Sequence, residues 1–547
     1  MIDKNKGLLV SIAKWLLLSL AFSLAYTQSH LYNDNQNTKF LHGLAMGGMG
    51  LLKEDWLANT ADPLPAFSLL VSFTYSFLAE RLFYVYFALL MGVYAYSILG
   101  IASSLYGMNR LPAKYLVYFA LILAIHSIQG QIFARKALDF DLEILHFGLA
   151  GQYLLGLDFQ NSSFGVFLLL SIHAFLQRKS VWAILWLSLA SIFHSAYLFS
   201  AALMMLAYLG NLFFENFRFG GLANRPTSFW ITPEKPNVGM SLIRRVMLAA
   251  QAPVLLGVLA LLLVSPVVIY QQVALSSTSQ QLSAQALDIL VNQRIPHHTL
   301  TRVWLNGGAY LQIAIMLGGL LLVRKTRLFP VMLALTLGGA LGWFVQALTS
   351  SHSLAMLGPW RVSVILVPLS TCLLVAWPVS KFFERFSRQV ESLLPVVVVL
   401  CLAGIVYLGR EGLAIQRGRF ARYERMDTHP MMYFVRQEKA PGQVYLIPPR
   451  DNRFDEFRTF TGAPAFINWK SHPYRDVEVL EWYNRNLLAR QFYTGDQATA
   501  CQNLAELTAK YTLTHVVIDL DKPHAVCDGM QETYRDQHYA VYSLVNQ

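Results

Sequence analysis

The sequence predicts an α-helical polytopic membrane protein with a C-terminal α/β domain outside the membrane. Of its 547 residues, 55% are hydrophobic and only 14% are charged, whereas soluble proteins carry about a quarter charged residues. Uncharged apolar runs such as residues 255–269 and 396–408 are typical of helices that cross a bilayer. After residue 409 the composition changes, and charged and aromatic residues become frequent. These observations separate a membrane part from a polar part.

About eleven apolar segments predict transmembrane helices. The first follows Lys4 and Lys6 and lacks a small-residue cleavage site, so we expect a retained signal anchor. Residues 180–193 and 195–213 are counted as two spans, because joining them would place the basic segment after them on the wrong side. The predicted spans are residues 8–26, 82–104, 112–129, 162–177, 180–193, 195–213, 246–269, 306–323, 328–349, 361–380 and 393–409.

The distribution of basic residues predicts the orientation. With a cytoplasmic N-terminus, the cytoplasmic segments carry 18 basic and 5 acidic residues, and the outer segments carry 8 basic and 10 acidic ones. Much of the cytoplasmic surplus lies between Arg218 and Arg245. This bias follows the positive-inside rule, so the net charge of +11 indicates topology and a bilayer partner. It does not indicate nucleic-acid binding. The chain after an odd number of spans is then periplasmic or extracellular.

Two domains are expected: residues 1–409, which include a first outer loop at 27–81, and the outer domain 410–547. Cys501 and Cys527 lie in the outer domain, where an oxidising compartment permits a disulfide. Spacing alone leaves their pairing open. Alternating elements predict an α/β fold, with strands at 443–447, 465–468 and 515–518 and helices at 477–490 and 498–510.

The first outer loop is a candidate site. It is long for a connector without function, and residues 66–78 predict a helix along the membrane surface. A solvated connecting loop is the alternative. The loop carries the acids Asp34, Glu54, Asp55 and Asp62, together with Asn35 and His42.

Basic residues near the outer ends of later spans are a second candidate feature. Arg361 follows Trp360 at the start of a span, and Arg135 lies in a segment of mixed charge. A guanidinium binds phosphate bidentately, although an interfacial anchor is the alternative for Arg361. The sequence contains no P-loop, dinucleotide fingerprint or metal-type Cys/His spacing.

The order of these features resembles the GT-C glycosyltransferases. The shared features are a first span, a long outer loop with an acid, a surface helix, many spans of uneven length and an outer C-terminal α/β domain. The resemblance implies a donor sugar linked to polyprenyl phosphate. It further implies a first-loop acid that serves as base or positions the acceptor, and basic residues at outer helix ends that hold the lipid phosphate.

Local motifs are similar to an uncharacterised bacterial membrane family grouped with GT-C, which implies a bacterial inner (plasma) membrane. They are Asn35-Gln36-Asn37, Phe40-Leu41-His42-Gly43-Leu44, Asp55-Trp56-Leu57-Ala58-Asn59-Thr60, Asp62-Pro63, Gly148-Leu149-Ala150-Gly151-Gln152-Tyr153, Pro359-Trp360-Arg361-Val362-Ser363 and Asn468-Trp469-Lys470-Ser471-His472-Pro473-Tyr474. The expected substrate-binding residues are Asn35, Gln36, His42, Trp56, Asn59, Asp62, Arg135, Gln152, Trp360 and Arg361.

Two acids are candidates for the catalytic carboxylate. Many GT-C enzymes carry Asp-Glu just after the first span, where this chain has Asp34-Asn35. Asp55 lies within the denser motif, and for that reason we favour it over Asp34. Some GT-C enzymes hold a divalent cation, Mg²⁺ or Mn²⁺, near the acid. Clustered acids permit a cation here, but no spacing demands it and no metal ligands are assigned.

We therefore expect a membrane hexosyl- or pentosyltransferase that acts on an extracytoplasmic glycan, lipid or protein. One alternative is a lipid-linked polysaccharide polymerase or ligase, because the 270–305 loop carries Arg294, His297 and His298. Another is a lipid or sugar transporter. Transporters usually show internal repeats with broken helices at the midplane, and we find no repeat between the two halves.

Overall fold

The computed structural model describes residues 2–219 and 242–545 of a mostly helical chain with one small sheet. Residues 220–241, most of the predicted cytoplasmic basic segment, lie outside this description. Each of the eleven predicted apolar segments coincides with a helix. These helices are Ile2–Tyr26, Leu82–Tyr106, Pro112–His126, Val166–Leu176, Ser180–Phe193, Leu198–Phe219, Leu242–Ala274, Gly307–Leu322, Phe329–Thr349, Ser363–Arg385 and Ser387–Tyr423.

The described helices identify a membrane-embedded helical protein. Seven are long and apolar enough to cross a bilayer, and Pro112–His126 with Ile128–Leu138 makes an eighth if this pair, bent by 69°, is one span. Val166–Leu176, Ser180–Phe193 and Gly307–Leu322 are apolar but shorter. The predicted count of eleven spans therefore stays a prediction.

The first outer loop folds against the membrane helices. Its surface helix, Pro65–Phe77, matches the predicted one and begins with a proline, which a first helical turn accommodates. The buried Phe40 ring lies 5.5 Å from Phe67, 4.9 Å from Phe83 and 6.1 Å from Phe159, measured between centroids. The other helices before residue 387 are Gln36–Lys39, Leu41–Met46, Gln280–Asp288, the π-helix Ile289–Arg294, Pro296–Thr299, Thr301–Trp304 and His352–Leu357.

The C-terminal domain contains a four-stranded sheet in the order β1-β2-β4-β3. β1 and β2 are parallel, whereas β4 pairs antiparallel with both β2 and β3. The strands are β1 Tyr445–Leu446, β2 His515–Asp519, β3 Met530–Arg535 and β4 Tyr539–Leu544. The sheet packs against the helices His429–Glu438, Phe457–Thr461, Asp476–Thr494 and Gln497–Lys510.

Two strand predictions match β1 and β2, but the third was wrong. Ala465 makes a single bridge with Tyr445, and its backbone N–H instead donates to the Asp55 carboxylate at 2.9 Å. That donor is therefore unavailable to a sheet. Strands β3 and β4 were not predicted. For β3 the reason is that the strand is mostly exposed and lacks an apolar alternation.

A continuous helix joins the two parts of the chain. Ser387–Tyr423 has 37 residues, so the predicted boundary at residue 409/410 lies inside a helix and not in a linker. Gly412 crosses the first membrane helix so closely that a Cβ atom there would lie 2.1 Å from the Leu24 carbonyl oxygen. The crossing therefore requires glycine at this position.

Cys501 and Cys527 form a disulfide within the C-terminal domain, which answers the question that spacing left open. It closes a loop over a sequence separation of 26 residues. We expect Cys501→Ala to lower the free energy of unfolding of this domain by about 3 kcal/mol, because the open loop gains entropy in the unfolded state. Thermal unfolding monitored by fluorescence measures the shift.

Cys401→Ala is the matched control, since Cys401 is a partly exposed free cysteine. Equal melting temperatures for Cys501→Ala and the wild type would contradict a stabilising disulfide.

Candidate functional site

A cavity of about 680 Å³ lies between the ends of several apolar helices and the C-terminal domain. Its walls come from the first outer loop, residues 151–162, 194–198 and 294–298, the turn before Ser363, and residues 470–474. The formally charged groups among the described lining residues are one acid, Asp34, and four cations: Lys39, Arg294, Arg361 and Lys470. The cavity is therefore strongly cationic.

Arg361 lies on a short turn that two sequence motifs build together. Gly358 precedes it with φ of 61°, a left-handed conformation that favours glycine. Ser363 Oγ accepts a hydrogen bond from Leu149 N–H at 2.7 Å, and a Cβ on Gly148 would lie 2.6 Å from that oxygen. Only glycine at position 148 allows this contact, which brings the two motifs together.

Gln152, from the same motif as Gly148, holds the Arg361 guanidinium. Its Nε–H donates to Gln152 Oε1 at 2.5 Å. Its two terminal amino groups have no hydrogen-bond partner among residues 2–219 and 242–545. Four N–H donors therefore remain for a ligand.

Asp34 also lines the cavity and lies in a tight turn of the first outer loop. Its φ of 42° is unusual for an L-residue but is tolerated by aspartate in turns. Its carboxylate forms an ion pair with Lys470 of the C-terminal domain and is 46% exposed. Asn35 lies beside it and donates to the Tyr153 hydroxyl at 3.1 Å. Asp34 is therefore an accessible carboxylate inside a cationic cavity.

The pKa of Tyr474 shows that the electrostatic potential inside the cavity is positive. Burial alone would raise the pKa of its phenol, yet nearby Lys39 foremost, then Arg294 and Arg361, bring that pKa below its ordinary value. Lys39 Nζ donates to the phenol oxygen at 3.0 Å. Arg294 Nη2 donates to the Lys470 carbonyl at 2.5 Å. The cations thus converge on a small volume with too few acids to neutralise them.

Histidines form much of the remaining polar wall. Burial, with neighbouring His297, lowers the pKa of His298 to about 4. Burial, followed by Arg294 and Lys39, lowers the pKa of His472 well below its ordinary value. Both rings are consequently neutral at pH 7, and they provide hydrogen bonds without adding charge.

Asp55, which the sequence analysis favoured as the base, lies outside this cavity. Its side chain is 0% exposed. One oxygen pairs with Arg458 Nε at 2.6 Å and accepts from Ala465 N–H, and the other accepts from Leu57 and Ala58 N–H. With both oxygens occupied and no access, the geometry assigns Asp55 to holding the loop on the C-terminal domain.

Of the predicted residues, Asp34, Asn35, Gln152 and Arg361 line the cavity. Trp360 is not a lining residue, but its indole N–H donates to the carbonyl of the lining residue His298 at 3.0 Å. Arg135 is outside, exposed and paired with Asp141 and Glu143. The others hold the loop through their contacts: Gln36 with Tyr32 and Phe159, His42 with Thr60, Trp56 with Arg485, Asn59 with Lys53 and Asp55, and Asp62 with Leu64.

Sequence reasoning left Lys39, Arg294, Lys470 and Tyr474 out of the expected binding set. Arg294 belongs to the basic 270–305 loop, and Lys470 and Tyr474 belong to the Asn468–Tyr474 motif. Those signals were present in the sequence. Nothing local, however, shows that the two segments meet the first outer loop.

The donor set does not fit a divalent cation. A cation such as Mg²⁺ prefers several oxygen ligands, whereas Asp34 is the one carboxylate among the described residues that line the cavity, and it already pairs with Lys470. Within residues 2–219 and 242–545, no group of three His, Cys, Asp or Glu side chains could hold a metal.

Comparison with known proteins gives one partial match. Residues 426–489 match a family described as a domain of unknown function, DUF6798. The matched segment includes Arg458, Lys470 and Tyr474, which connect the C-terminal domain to the first outer loop and the cavity. No curated protein matches the sequence.

A second buried cluster lies at the junction of the two parts. The Glu456 carboxylate lies 3.4 Å from His429 Nε2 and 3.8 Å from His30 Nε2. Burial raises the pKa of Glu456 to about 7, a rise opposed by a hydrogen bond from Tyr423. Burial lowers the pKa of His30 to about 4, and it also lowers the pKa of His429.

We expect Asp55→Asn to destabilise the protein by about 3–5 kcal/mol, because it leaves the buried Arg458 guanidinium without its counter-charge. Thermal unfolding of the purified protein measures this loss. Asp62→Asn is the control, since Asp62 accepts one backbone bond from Leu64 that an amide oxygen can also accept. If Asp55→Asn unfolds at the same temperature as the wild type, the structural assignment is wrong.

We expect the stability of the folded protein to depend on pH, because the pKa of Glu456 is raised on folding. A carboxyl whose pKa is higher in the folded state contributes its full stabilising free energy below its unfolded pKa, near 4.5. It loses this contribution as the pH rises through the folded pKa, about 7 for Glu456. Between pH 6.5 and 8, where both histidines stay neutral in the folded protein, we expect a loss of about 1 kcal/mol from this group.

Thermal unfolding against pH measures this slope. Burial raises the pKa of Asp158 to about 7 as well, so Glu456→Gln should reduce the slope without removing it. Glu438→Gln, an exposed position in the same domain, should leave it intact. Identical slopes for Glu456→Gln and the wild type would contradict the assignment.

Proposed function

We propose that the protein is a membrane glycosyltransferase of the GT-C type, which moves a sugar from a polyprenyl-phosphate-linked donor to an extracytoplasmic acceptor. The observation that carries the proposal is the cavity's charge: Lys39, Arg294, Arg361 and Lys470 against Asp34. Its position at the ends of apolar helices suits a ligand that is part lipid and part sugar phosphate.

The phosphate of the donor binds Arg361. Its terminal amino groups present parallel N–H donors, the geometry that a phosphate accepts bidentately. Arg294 and Lys39 add positive charge across the cavity. Cations preorganised around the leaving phosphate stabilise the negative charge that develops as its bond to the sugar breaks.

The lipid chain of the donor leaves the cavity along its apolar lining. Leu64 precedes the surface helix, Leu275 follows the helix Leu242–Ala274, and Met356 lies before the Arg361 turn. These apolar side chains alternate with the polar wall. The arrangement suits a molecule whose phosphate is at the membrane surface and whose chain is in the bilayer.

Asp34 is the proposed base. Its carboxylate takes the proton of the acceptor hydroxyl as the acceptor oxygen bonds to the anomeric carbon of the donor sugar. The bond between that carbon and the phosphate oxygen breaks, and the electron pair leaves with the phosphate toward Arg361. Lys470 holds Asp34 in position through their ion pair, and Asn35 and Tyr474 offer hydrogen bonds to sugar hydroxyls.

The proposed compartment follows from charge. The positive-inside bias favours a cytoplasmic N-terminus, and we propose that the cavity lies on the outer side of a bacterial plasma membrane. The disulfide Cys501–Cys527 supports this placement, because disulfides persist in oxidising compartments.

A lipid-linked polysaccharide polymerase or ligase is the second candidate. The observation in its favour is that Arg294, His297 and His298 of the 270–305 loop line the same cavity. Such an enzyme would transfer a lipid-linked glycan chain instead of a single sugar. The length of the transferred glycan separates the two candidates.

We expect purified protein to transfer radiolabelled sugar from polyprenyl phosphate to an acceptor. Asp34→Asn should lower kcat by at least about 100-fold, because it removes the base. Arg361→Ala should lower kcat/KM by a similar factor through lost phosphate contacts. Product analysis by thin-layer chromatography gives the rates and the glycan length.

Lys136→Ala is the charge-matched control: it removes an exposed cation outside the cavity and should retain full activity. Transfer that survives both Asp34→Asn and Arg361→Ala would overturn the site assignment. Transport of lipid or sugar across vesicles without donor consumption would overturn the enzymatic proposal.

A further inference from the structure

The C-terminal domain contains a second crevice, of about 390 Å³, that the proposed reaction does not use. It lies where the parallel strands β1 and β2 end, and the loops that follow them, Pro448–Asn452 and Asp519–His524, form two of its walls. The end of the helix Asp476–Thr494 forms the third wall. In open α/β sheets, ligands bind in the crevice outside the carboxyl ends of the strands.

The charged side chains at the base of the crevice form ion pairs with one another. Asp451 and Asp519 each pair with both Arg453 and Lys522, at distances of 2.6–3.1 Å. These pairs fasten the two loops to each other. The Tyr493 hydroxyl lies 2.9 Å from the Leu446 carbonyl and 2.8 Å from that of Val517, which holds the helix end on both strands. Two acids are thereby matched by two cations.

Two further guanidinium groups, Arg450 and Arg490, line the crevice without a carboxylate partner in the described part of the chain. They are close enough that Arg490, after burial, lowers the pKa of Arg450. Arg450 is held in place because it stacks on Trp469 at 4.0 Å from the ring centroid. Two like charges held across one concave surface leave an uncompensated positive potential, which an anion relieves.

We propose that this crevice binds an acidic glycan, with a carboxylate or phosphate of the sugar held between Arg450 and Arg490. Guanidinium groups bind both oxyanions bidentately. The rings of Pro448, Pro449 and Pro523 supply apolar surface for the faces of a sugar. The volume lies within the range of ordinary small-molecule sites.

The crevice adjoins the cavity through one segment of chain. Trp469, on whose ring Arg450 stacks, donates its backbone N–H to the Pro449 carbonyl at 2.7 Å. The next residue, Lys470, pairs with Asp34 in the cavity. A glycan bound by Arg450 is therefore one residue away, through Trp469, from the lysine that pairs with the proposed base. The crevice proposal itself rests on its own residues and does not require the transfer reaction.

The test measures binding to the full-length protein in detergent by isothermal titration calorimetry. The probes are trigalacturonate, glucose 6-phosphate and neutral galactotriose. We expect at least one acidic probe to bind and galactotriose to bind at least tenfold more weakly. Arg450→Ala and Arg490→Ala should each weaken the acidic probe at least tenfold, and binding should weaken with rising salt. Whichever acid binds more tightly identifies the preferred oxyanion.

Arg425→Ala is the matched control, because it removes an exposed arginine of the same part of the chain outside the crevice. It should leave the affinity for the acidic probe unchanged. Melting temperatures of the variants verify folding. Absence of acidic-probe binding, or binding lost in Arg361→Ala and kept in the double variant Arg450→Ala/Arg490→Ala, would overturn the proposal while leaving the transfer assay to judge the enzyme.

Discussion

The ion pair between Asp55 and Arg458 is the contact on which the outer half of the molecule depends. Arg458 also donates to Asn468 Oδ1 and to the Ala465 carbonyl, so one buried guanidinium fixes both the first outer loop and the segment that leads to Lys470. Since Lys470 reaches Asp34, the ion pair positions two walls of the cavity at once. A charge pair buried this deeply is costly to separate, and the loop and the C-terminal domain therefore behave as one unit.

The charges of the cavity explain why that unit needs to be rigid. Lys39, Arg294 and Arg361 repel one another, and in a compact unliganded protein such repulsion would be relieved by movement. Tyr474 and Gln152 instead hold the cations through hydrogen bonds to neutral groups. Neutral partners keep the cations in place without cancelling their charge, which remains available to an anionic ligand.

Local signals predicted the helices, whereas distant contacts determined the site. Apolar runs must be long to cross a bilayer, so all eleven segments were recognisable and coincide with helices. The strand at 465–468 failed because the Ala465 N–H bonds to Asp55, which is far away in the sequence. For the same reason the composition of the loop favoured Asp55, while the structure gives the accessible position to Asp34. Asp34, Gln152 and Arg361 could be named from motif and charge, but their meeting with Arg294 and Lys470 could not.

The long helix Ser387–Tyr423 sets the reach of the outer domain. At 1.5 Å per residue its 37 residues extend about 55 Å, well beyond the roughly 30 Å of a hydrocarbon core. The close crossing at Gly412 packs this long helix against the first helix at Leu24 and Ala25. Sliding of this helix along the first one would bring a larger side chain into the crossing, so the two helices are fixed in one register.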